Sequence, residues 1–308
     1  MDENSASGFV LAEDQYGKAE TRLVRVYRDT DRHELRDVTV STALRGDFSA
    51  AYQRGDQSRV LPTDSQKNTC YAFAKEHGLH QIEDYALRLG RHFVADVDPV
   101  TSARIAVDEF AWDRVPVAGR DGDRAGHDHT WVRRGGEVRT TVVTVGDGDE
   151  WVVSGLRDLV LLKSTGSEFA GFLTDRYTTL PETHDRVLST ALVARWRYLG
   201  TEVDWDATWE SVRTVLLQRF AEVHSLALQQ TLWEMGTGVL AKHPEIAEIK
   251  LSAPNRHHFT VDLEPYGLEN RNEVFYAADR PYGLIECAVA REGEPSAPSA
   301  WYAVPGFA

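Results

Sequence analysis

The 308-residue sequence contains few cysteines, few basic residues and no long apolar run. Its two cysteines, Cys70 and Cys287, allow at most one disulfide, and neither belongs to a CxxC pair. A disulfide-stabilised secreted domain is therefore disfavoured, and we expect two reduced core thiols in a reducing compartment. No apolar run approaches the roughly 18 residues that a membrane-spanning helix needs.

Basic charge is also scarce, since 34 lysines and arginines face 48 acidic residues, for a formal net charge of −14. An acidic surface repels phosphate, so neither nucleic acid nor an anionic membrane is an expected partner. A small anion can still bind where a few cationic groups are buried locally. The beginning, MDENSASGFV, lacks signal-peptide regions and the end, PGFA, lacks a peroxisomal SKL address, so we expect a cytoplasmic location.

Sequence motifs for common cofactors are missing too. There is no GxGxxG after a strand, no Walker A loop and no GxSxG elbow, so no nucleotide cradle or serine nucleophile is indicated. Hydrophobic residues make up 42% of the chain and charged residues 27%. These proportions are typical of a globular protein, and the length allows one large domain or two of ordinary size.

Apolar periodicity predicts the same order of elements in both halves of the chain. In the first half we predict strands over 15–48, helices over 66–76 and 81–94, and strands over 103–115, 138–145 and 151–163. In the second half we predict a strand at 191–199, helices at 209–223 and 228–239, and strands at 246–263 and 273–290. This doubled order favours an α+β fold in which antiparallel sheets carry helices on one face. A doubly wound parallel sheet is disfavoured.

Two histidine pairs invite a metal interpretation, which is weak for both. His127 and His129 lie in the stretch 116–136, which is rich in Gly, Asp and Arg and which we predict to be an exposed hairpin loop. No further ligands stand at suitable spacing, so a solvated hairpin edge is favoured there. His257 and His258 are adjacent on a predicted strand, where neighbouring side chains point to opposite faces.

Strand alternation gives a more specific expectation for residues 249–263. The apolar residues occupy odd positions, and Asn255 and His257 share that parity. If Pro254 does not break the register, both face the buried side and His258 faces away. A buried Asn and His need hydrogen-bond partners. Periodicity alone leaves open whether they form a satisfied core pair or part of a site.

Nine segments, in order from about residue 15 to 292, resemble the bacterial type of the urate oxidase (uricase) family. They are YGK at 16–18, LRGDF at 44–48, TDSQKNT at 63–69, LKSTGSEF at 162–169, YTTL at 177–180, DR at 185–186, SLALQQT at 225–231, PNRHHF at 254–259 and YAADRPYG at 276–283. One such segment is weak, whereas nine in order are specific.

The resemblance implies the tunnelling fold, or T-fold, in two tandem repeats. Each repeat is an antiparallel sheet with two helices on one face, here over 15–147 and 148–292, with a mobile tail at 1–14 and a second tail at 293–308. In the family two chains form a barrel, and two barrels stack into a homotetramer with a tunnel and active sites between subunits.

The resemblance also implies a role for each candidate site residue. Lys18 and Thr63 correspond to the family's catalytic pair, and His257 completes a proton relay. The residues implied in substrate binding are Phe169, which stacks on the purine; Arg186 and Gln229, which hold its edge; Leu228 and Asp64, which offer backbone contacts; Thr63 itself; and Asn255, where oxygen or water binds above the ring. Thr63 and Asp64 come from the neighbouring subunit in the family.

The implied reaction is the oxidation of urate by O2 and water to 5-hydroxyisourate and hydrogen peroxide, with no metal or organic cofactor. An aromatic face supports a flat ring, an Arg fork suits an anionic edge, and Gln offers both a donor and an acceptor. A Lys acts as a base once its pKa is lowered, a Thr hydroxyl can pass a proton, and His exchanges protons near neutral pH.

Without the resemblance, each residue has a plain structural interpretation: Lys18 as a solvated strand-edge lysine, Phe169 as core, Arg186 as a surface ion-pair partner and Thr63 as a helix cap. Three other functions are also weighed. These are a T-fold enzyme acting on a pterin or another purine, a non-catalytic purine-binding oligomer, and a metallohydrolase using His127, His129 and His257. The Arg186 and Gln229 pair favours urate over a pterin.

Overall fold

The structure is a computed structural model that describes residues 8–118, 124–146, 148–278 and 280–302. The described chain divides into two compact units. The first contains residues up to 109 together with 141–151, and the second contains residues 110–140 and those from 152 onward. Three long strands contribute residues to both units: β3 (Val100–Ala118), β4 (Arg124–Gly146) and β5 (Asp149–Lys163).

The first unit combines an antiparallel sheet with helices. Its remaining elements are β1 (Thr21–Tyr27), β2 (Glu34–Gly46), α1 (Ser49–Arg54), α2 (Thr63–Glu76) and α3 (Ile82–Asp96). β2 pairs with β1 on one side and β3 on the other, so Val40 lies opposite Thr21 and Val107. Gly90 of α3 approaches the sheet so closely that an added Cβ would lie 2.8 Å from Val145 Cγ2.

The second unit repeats this plan with more strands. Its further elements are β6 (Leu188–Tyr198), α4 (Trp205–Glu222), α5 (Leu228–Lys242), β7 (Ile246–Asn255), β8 (His258–Thr260), a short 3-10 helix (Glu264–Tyr266), β9 (Phe275–Ala277), β10 (Gly283–Ala290) and α6 (Pro298–Trp301). Strands β5, β6, β7 and β10 pair antiparallel in that order, and β8 and β9 form a separate pair.

Helices α4 and α5 cover one face of this second sheet. Trp209 of α4 donates its indole N–H to Gly155 O of β5 at 2.9 Å. Gly236 of α5 faces Val289 and Ile249 of the sheet. The α4 N-terminus is capped by Asp204, whose carboxylate accepts the Ala207 N–H. The predicted α+β class, with antiparallel sheets and helices on one face, is confirmed.

The expectation of a loop over 116–136 is wrong. β3 continues to Ala118 and β4 begins at Arg124, so residues 124–136 are strand, while 119–123 lie outside the described residues. Cross-strand contacts stabilise this polar hairpin. Arg134 pairs with Asp113, Arg133 lies 4.2 Å from the Phe110 ring centroid, and Arg114 donates to the His127 and Asp128 carbonyls.

The single strand predicted over 246–263 is also corrected. β7 ends at Asn255 and pairing resumes only at His258, so the alternation is interrupted at residues 256–257. Phe259, expected on the buried side, is 49% exposed. The interruption has a local cause, because the Arg256 N–H turns to Ser189 O at 2.9 Å.

Both cysteines are free thiols; Cys70 is buried and Cys287 is half-buried. Within the described ranges, the structure contains no helix that is both long and apolar enough to cross a membrane.

Candidate functional site

A cavity of about 720 Å³ in the second unit brings together six of the predicted site residues. They come from four separate parts of the chain: the segment after β5, the segment before β6, the start of α5 and the end of β7. The six residues that line the cavity are Phe169, Arg186, Leu228, Gln229, Asn255 and His257. A mixed apolar and cationic lining of this kind suits a flat organic anion.

Phe169 and Arg186 are held side by side by backbone hydrogen bonds. Phe169 exchanges N–H···O bonds with Thr183 at 2.8 and 3.0 Å, and the Arg186 N–H donates to Ser167 O at 3.0 Å. The Arg186 guanidinium carbon therefore lies 5.4 Å from the Phe169 ring centroid. Phe172 stacks behind Phe169 at 4.8 Å between centroids. The aromatic face and the cation form one corner of the cavity.

The Arg186 guanidinium is half-buried, and its Nε donates to Ser167 Oγ at 3.2 Å. Burial lowers the pKa of Arg186 from its ordinary value, although arginine stays charged across the physiological range. Desolvation is the cause of this shift, and among the described residues no carboxylate contributes to it. A desolvated cation without a counter-ion makes the cavity attractive to an anion.

Leu228 and Gln229 form the first turn of α5. The preceding residue, Ala227, offers no side-chain cap, so amide groups of this turn are left for another acceptor. The Leu228 side chain is buried, whereas Gln229 faces the cavity. The positive end of the helix dipole adds to the attraction for a bound anion.

Asn255 and His257 approach from the end of β7. Asn255 is paired across the sheet with Thr190 and Gly283. The His257 ring is half-buried and stacks on Phe259 at 5.6 Å between centroids. Desolvation, with a smaller contribution from the Arg186 charge, lowers the pKa of His257. A neutral imidazole at neutral pH can accept a proton.

His258 was expected to face away from His257, and that expectation is wrong, because both line the cavity. The interruption of β7 before residue 257 resets the alternation, and the His258 ring is anchored by contact with Arg256 O at 3.1 Å. Other lining residues that sequence reasoning missed include Thr260, Asn272, Phe275 and Ile285. The only sequence feature that could have identified them is their proximity to the PNRHHF and YAADRPYG segments.

Lys18, Thr63 and Asp64 belong to the first unit. Lys18 precedes β1 and is tied to Thr42 of β2 through both its backbone N–H and its carbonyl. Thr63 opens α2, so it is not the cap; that position is Pro62. Asp64 accepts from Lys67 and Asn68, which together with the nearby Lys18 charge lower the pKa of its carboxyl. The Lys18 ammonium therefore lies close to the start of α2.

Among the described residues, the histidines of the β3–β4 hairpin do not belong to a group of metal ligands. The His127 and His129 rings meet edge to face at 4.5 Å between centroids. Among the residues that the structure describes, no three or more His, Cys, Asp or Glu side chains are grouped to hold a metal ion. The metallohydrolase alternative has no geometric support in that part of the chain.

Comparison with known families gives a single answer. The family model described as uricase matches residues 14–144 and 152–286. This chain belongs to the uricase family. It is accordingly an enzyme of the urate oxidase class. All nine candidate site residues fall within the two matched ranges.

Individual uricases extend this result. The chain is 53% identical to the uricase of Arthrobacter globiformis over 97% of its own length and 95% of that protein. It is 35% identical to the uricase of Dictyostelium discoideum over 91% of the chain and 97% of that protein. A crystal structure of uricase from Arthrobacter globiformis superposes with a TM-score of 0.90, covering 95% of this chain and 99% of that one.

Proposed function

We propose that the chain oxidises urate with O2 and water to 5-hydroxyisourate and hydrogen peroxide. The observation that carries the proposal is the cavity in which Phe169, Arg186, Gln229 and His257 converge. Membership of the uricase family supports the same reaction. The balance is simple, because urate loses two electrons to O2, which leaves as peroxide, and water supplies the new hydroxyl oxygen.

Substrate binding follows from the chemistry of the lining. Urate is a flat anion, so one face of the purine rests on Phe169 while Arg186 pairs with its edge. Gln229 supplies a donor and an acceptor to the mixed edge, and the Leu228 amide adds a backbone donor. Asn255 offers a polar group above the ring for oxygen or water. An analogue that lacks an edge group leaves these groups unpaired, at about 1–3 kcal/mol each.

Proton transfer is assigned to Lys18, Thr63 and His257. Removal of a second proton from urate makes the ring electron-rich enough to reduce O2, so the substrate is itself the electron donor and no further cofactor is required. In this relay Lys18 takes the proton through the Thr63 hydroxyl, and His257 completes the relay. Thr63 and Asp64 reach the cavity from a neighbouring subunit.

A homotetramer with shared sites is part of the proposal. In the second unit, apolar side chains on β5 and β10 are open in the single chain: Val160 is 57% exposed, Leu162 55% and Leu284 50%. Exposed apolar strand faces are characteristic of surfaces that pair with another protein. The proposal also includes two T-fold repeats, over 15–147 and 148–292, which form barrels and a tunnel when the chains associate. It further includes a cytoplasmic location.

The test follows urate by its near-ultraviolet absorbance in air-saturated buffer that contains a chelator, with oxygen uptake recorded in parallel. We expect urate and O2 to disappear together at a one-to-one ratio. Lys18→Ala and Thr63→Ala are expected to abolish turnover while the fold persists. A folded oligomer that leaves urate unchanged would refute the oxidase proposal, and binding of purines and pterins would then be measured.

A further inference from the structure

A buried polar pair links the two segments that carry Lys18 and Thr63. Gln66 lies one turn into α2 and is 0% exposed, and Thr42 of β2 is 5% exposed. Buried amides and hydroxyls destabilise a fold unless they are hydrogen-bonded. Here the Thr42 hydroxyl donates to Gln66 Oε1 at 2.7 Å, which gives the hydroxyl an acceptor and the amide oxygen a donor.

Thr42 is bonded directly to Lys18 on its other side. The Lys18 N–H donates to Thr42 Oγ1 at 3.1 Å, and the Thr42 N–H donates to Lys18 O at 2.9 Å. Gly17 makes this approach possible, because a Cβ there would lie 1.8 Å from Thr42 O. The backbone of Lys18 is therefore held on both sides by one threonine.

Gln66 is bonded in turn to the chain just before Thr63. Its Nε2 faces Leu61 O at 3.4 Å, and its backbone N–H donates to Pro62 O at 3.2 Å. The Tyr16 hydroxyl donates to the same Leu61 carbonyl at 3.1 Å. A continuous series of bonds thus runs from Lys18 through Thr42 and Gln66 to the residues that precede Thr63.

We propose that Thr42 and Gln66 are positioning residues that fix Lys18 relative to Thr63 for proton transfer. The inference rests on the proposed function, which makes Lys18 and Thr63 partners in the relay. Proton transfer needs heavy-atom separations of about 2.6–3.2 Å, and a misplacement of about 1 Å can cost roughly 100-fold in rate. An apolar pair could fill this space, but without directional hydrogen bonds it would not fix the distance between the segments that carry Lys18 and Thr63.

The test removes the hydroxyl or the amide while keeping the side-chain volume. Thr42→Val and Gln66→Met are each expected to lower kcat about 10- to 100-fold with KM for urate within about threefold, because the purine contacts of Phe169, Arg186 and Gln229 are kept. Thr42→Ser keeps the hydroxyl and is expected to retain kcat within about threefold. The double variant is expected to lose no more than the worse single variant, because the two residues act as one unit.

Tyr85→Phe is the matched control for lost stability. The Tyr85 hydroxyl donates to Cys70 O at 2.8 Å, a buried bond farther along α2. We expect its removal to lower Tm as the Thr42 and Gln66 variants do, yet to leave kcat unchanged. If Thr42→Val or Gln66→Met folds, loses Tm like Tyr85→Phe and keeps full kcat, the positioning role is refuted.

Lys18→Ala in the same assay separates this inference from the proposed function. An inactive Lys18→Ala beside fully active Thr42→Val and Gln66→Met would overturn only the positioning role. A fully active Lys18→Ala would overturn the relay and the positioning role together. The relay and the positioning role are both supported if Lys18→Ala is inactive and if Thr42→Val and Gln66→Met each show a low kcat with an unchanged KM.

Discussion

At the scale of single residues, Arg186 controls the charge of the cavity. Its guanidinium is half-buried, bonded to Ser167 and close to the Phe169 ring. Arg186→Lys keeps the charge but loses the planar fork that matches an anionic edge. We expect kcat/KM for urate to fall about 10- to 100-fold, mainly through KM, as measured by steady-state kinetics.

Arg271→Lys is the matched control for Arg186→Lys. Arg271 is an exposed arginine of the same unit that pairs with Glu269 at 2.6 Å and is not among the residues that line the cavity. Its replacement is expected to leave KM within about twofold of the unmodified protein, because exposed ion pairs contribute little. Equal KM values for the two variants would remove Arg186 from substrate binding.

His257 provides a prediction about pH. Desolvation first, and the Arg186 charge second, lower the pKa of this imidazole below its ordinary value of about 6.5. We expect an NMR titration of the ring to show a midpoint below that of an exposed histidine. In Arg186→Gln the midpoint should rise but stay below the ordinary value, because burial persists.

The direction of this pKa shift also determines how His257 affects the pH dependence of folding stability. A folded-state pKa below the unfolded value means that the unfolded chain binds the proton more tightly. The stabilising contribution of His257 is therefore present above the unfolded pKa and is lost as pH falls through the folded pKa.

In the NMR titration, a His257 midpoint that does not move in Arg186→Gln would contradict the electrostatic coupling of the two residues.

At the scale of elements, the packing of α5 against its sheet depends on Gly236. A Cβ at this position would lie 2.6 Å from Val289 Cγ2 and 3.5 Å from Ile249 Cγ2. Alanine raises helix propensity by about 1 kcal/mol, but overpacking typically costs about 1–3 kcal/mol. Gly236→Ala should therefore lower the free energy of unfolding, as measured by denaturant titration.

Gly238→Ala in the same helix is the control. Its added Cβ would meet the Arg219 side chain, 2.8 Å from Nε, and a flexible arginine can move aside. We expect Gly238→Ala to be less destabilising than Gly236→Ala. Helix propensity rises equally in both variants, so the opposite order would show that contact with Arg219, not contact with the sheet, limits the packing of α5.

Element prediction from the sequence succeeded where apolar periodicity was long. The helix expected over 81–94 is α3 (Ile82–Asp96), and the helix expected over 228–239 is α5 (Leu228–Lys242). The failures lie where polar residues form strands, as in residues 124–136, whose cross-strand contacts are not visible in a polar sequence. The strand expected over 273–290 is instead β9 and β10, separated by residues 278–282.

At the scale of the whole molecule, shared sites lead to a test by complementation. Thr63→Ala and Arg186→Gln are each expected to inactivate the protein. The two variant chains are co-assembled in equal amounts. If Thr63 serves the cavity of a neighbouring subunit, some sites then combine an intact Arg186 from one chain with an intact Thr63 from the other. Random pairing makes this about one site in four, so we expect roughly a quarter of normal activity.

The control is a mixture of the two variants purified separately and not allowed to exchange subunits. It should stay inactive, and the assembly state is followed by native mass spectrometry. Co-assembled tetramers without activity would mean that Thr63 and Arg186 serve the same site from one chain. Monomers alone would refute the shared site altogether.

The sequence by itself determined the α+β class, most element positions and the family, because periodicity and ordered motifs are written along the chain. It also predicted Asn255 and His257 on one side of a single strand, but β7 ends at Asn255 and His257 lies in the break before β8. Only the tertiary structure decided which residues converge on one cavity and that His258 joins them, because the break after Asn255 depends on a bond to Ser189. The link from Lys18 through Thr42 and Gln66 likewise depends on contacts between segments far apart in sequence.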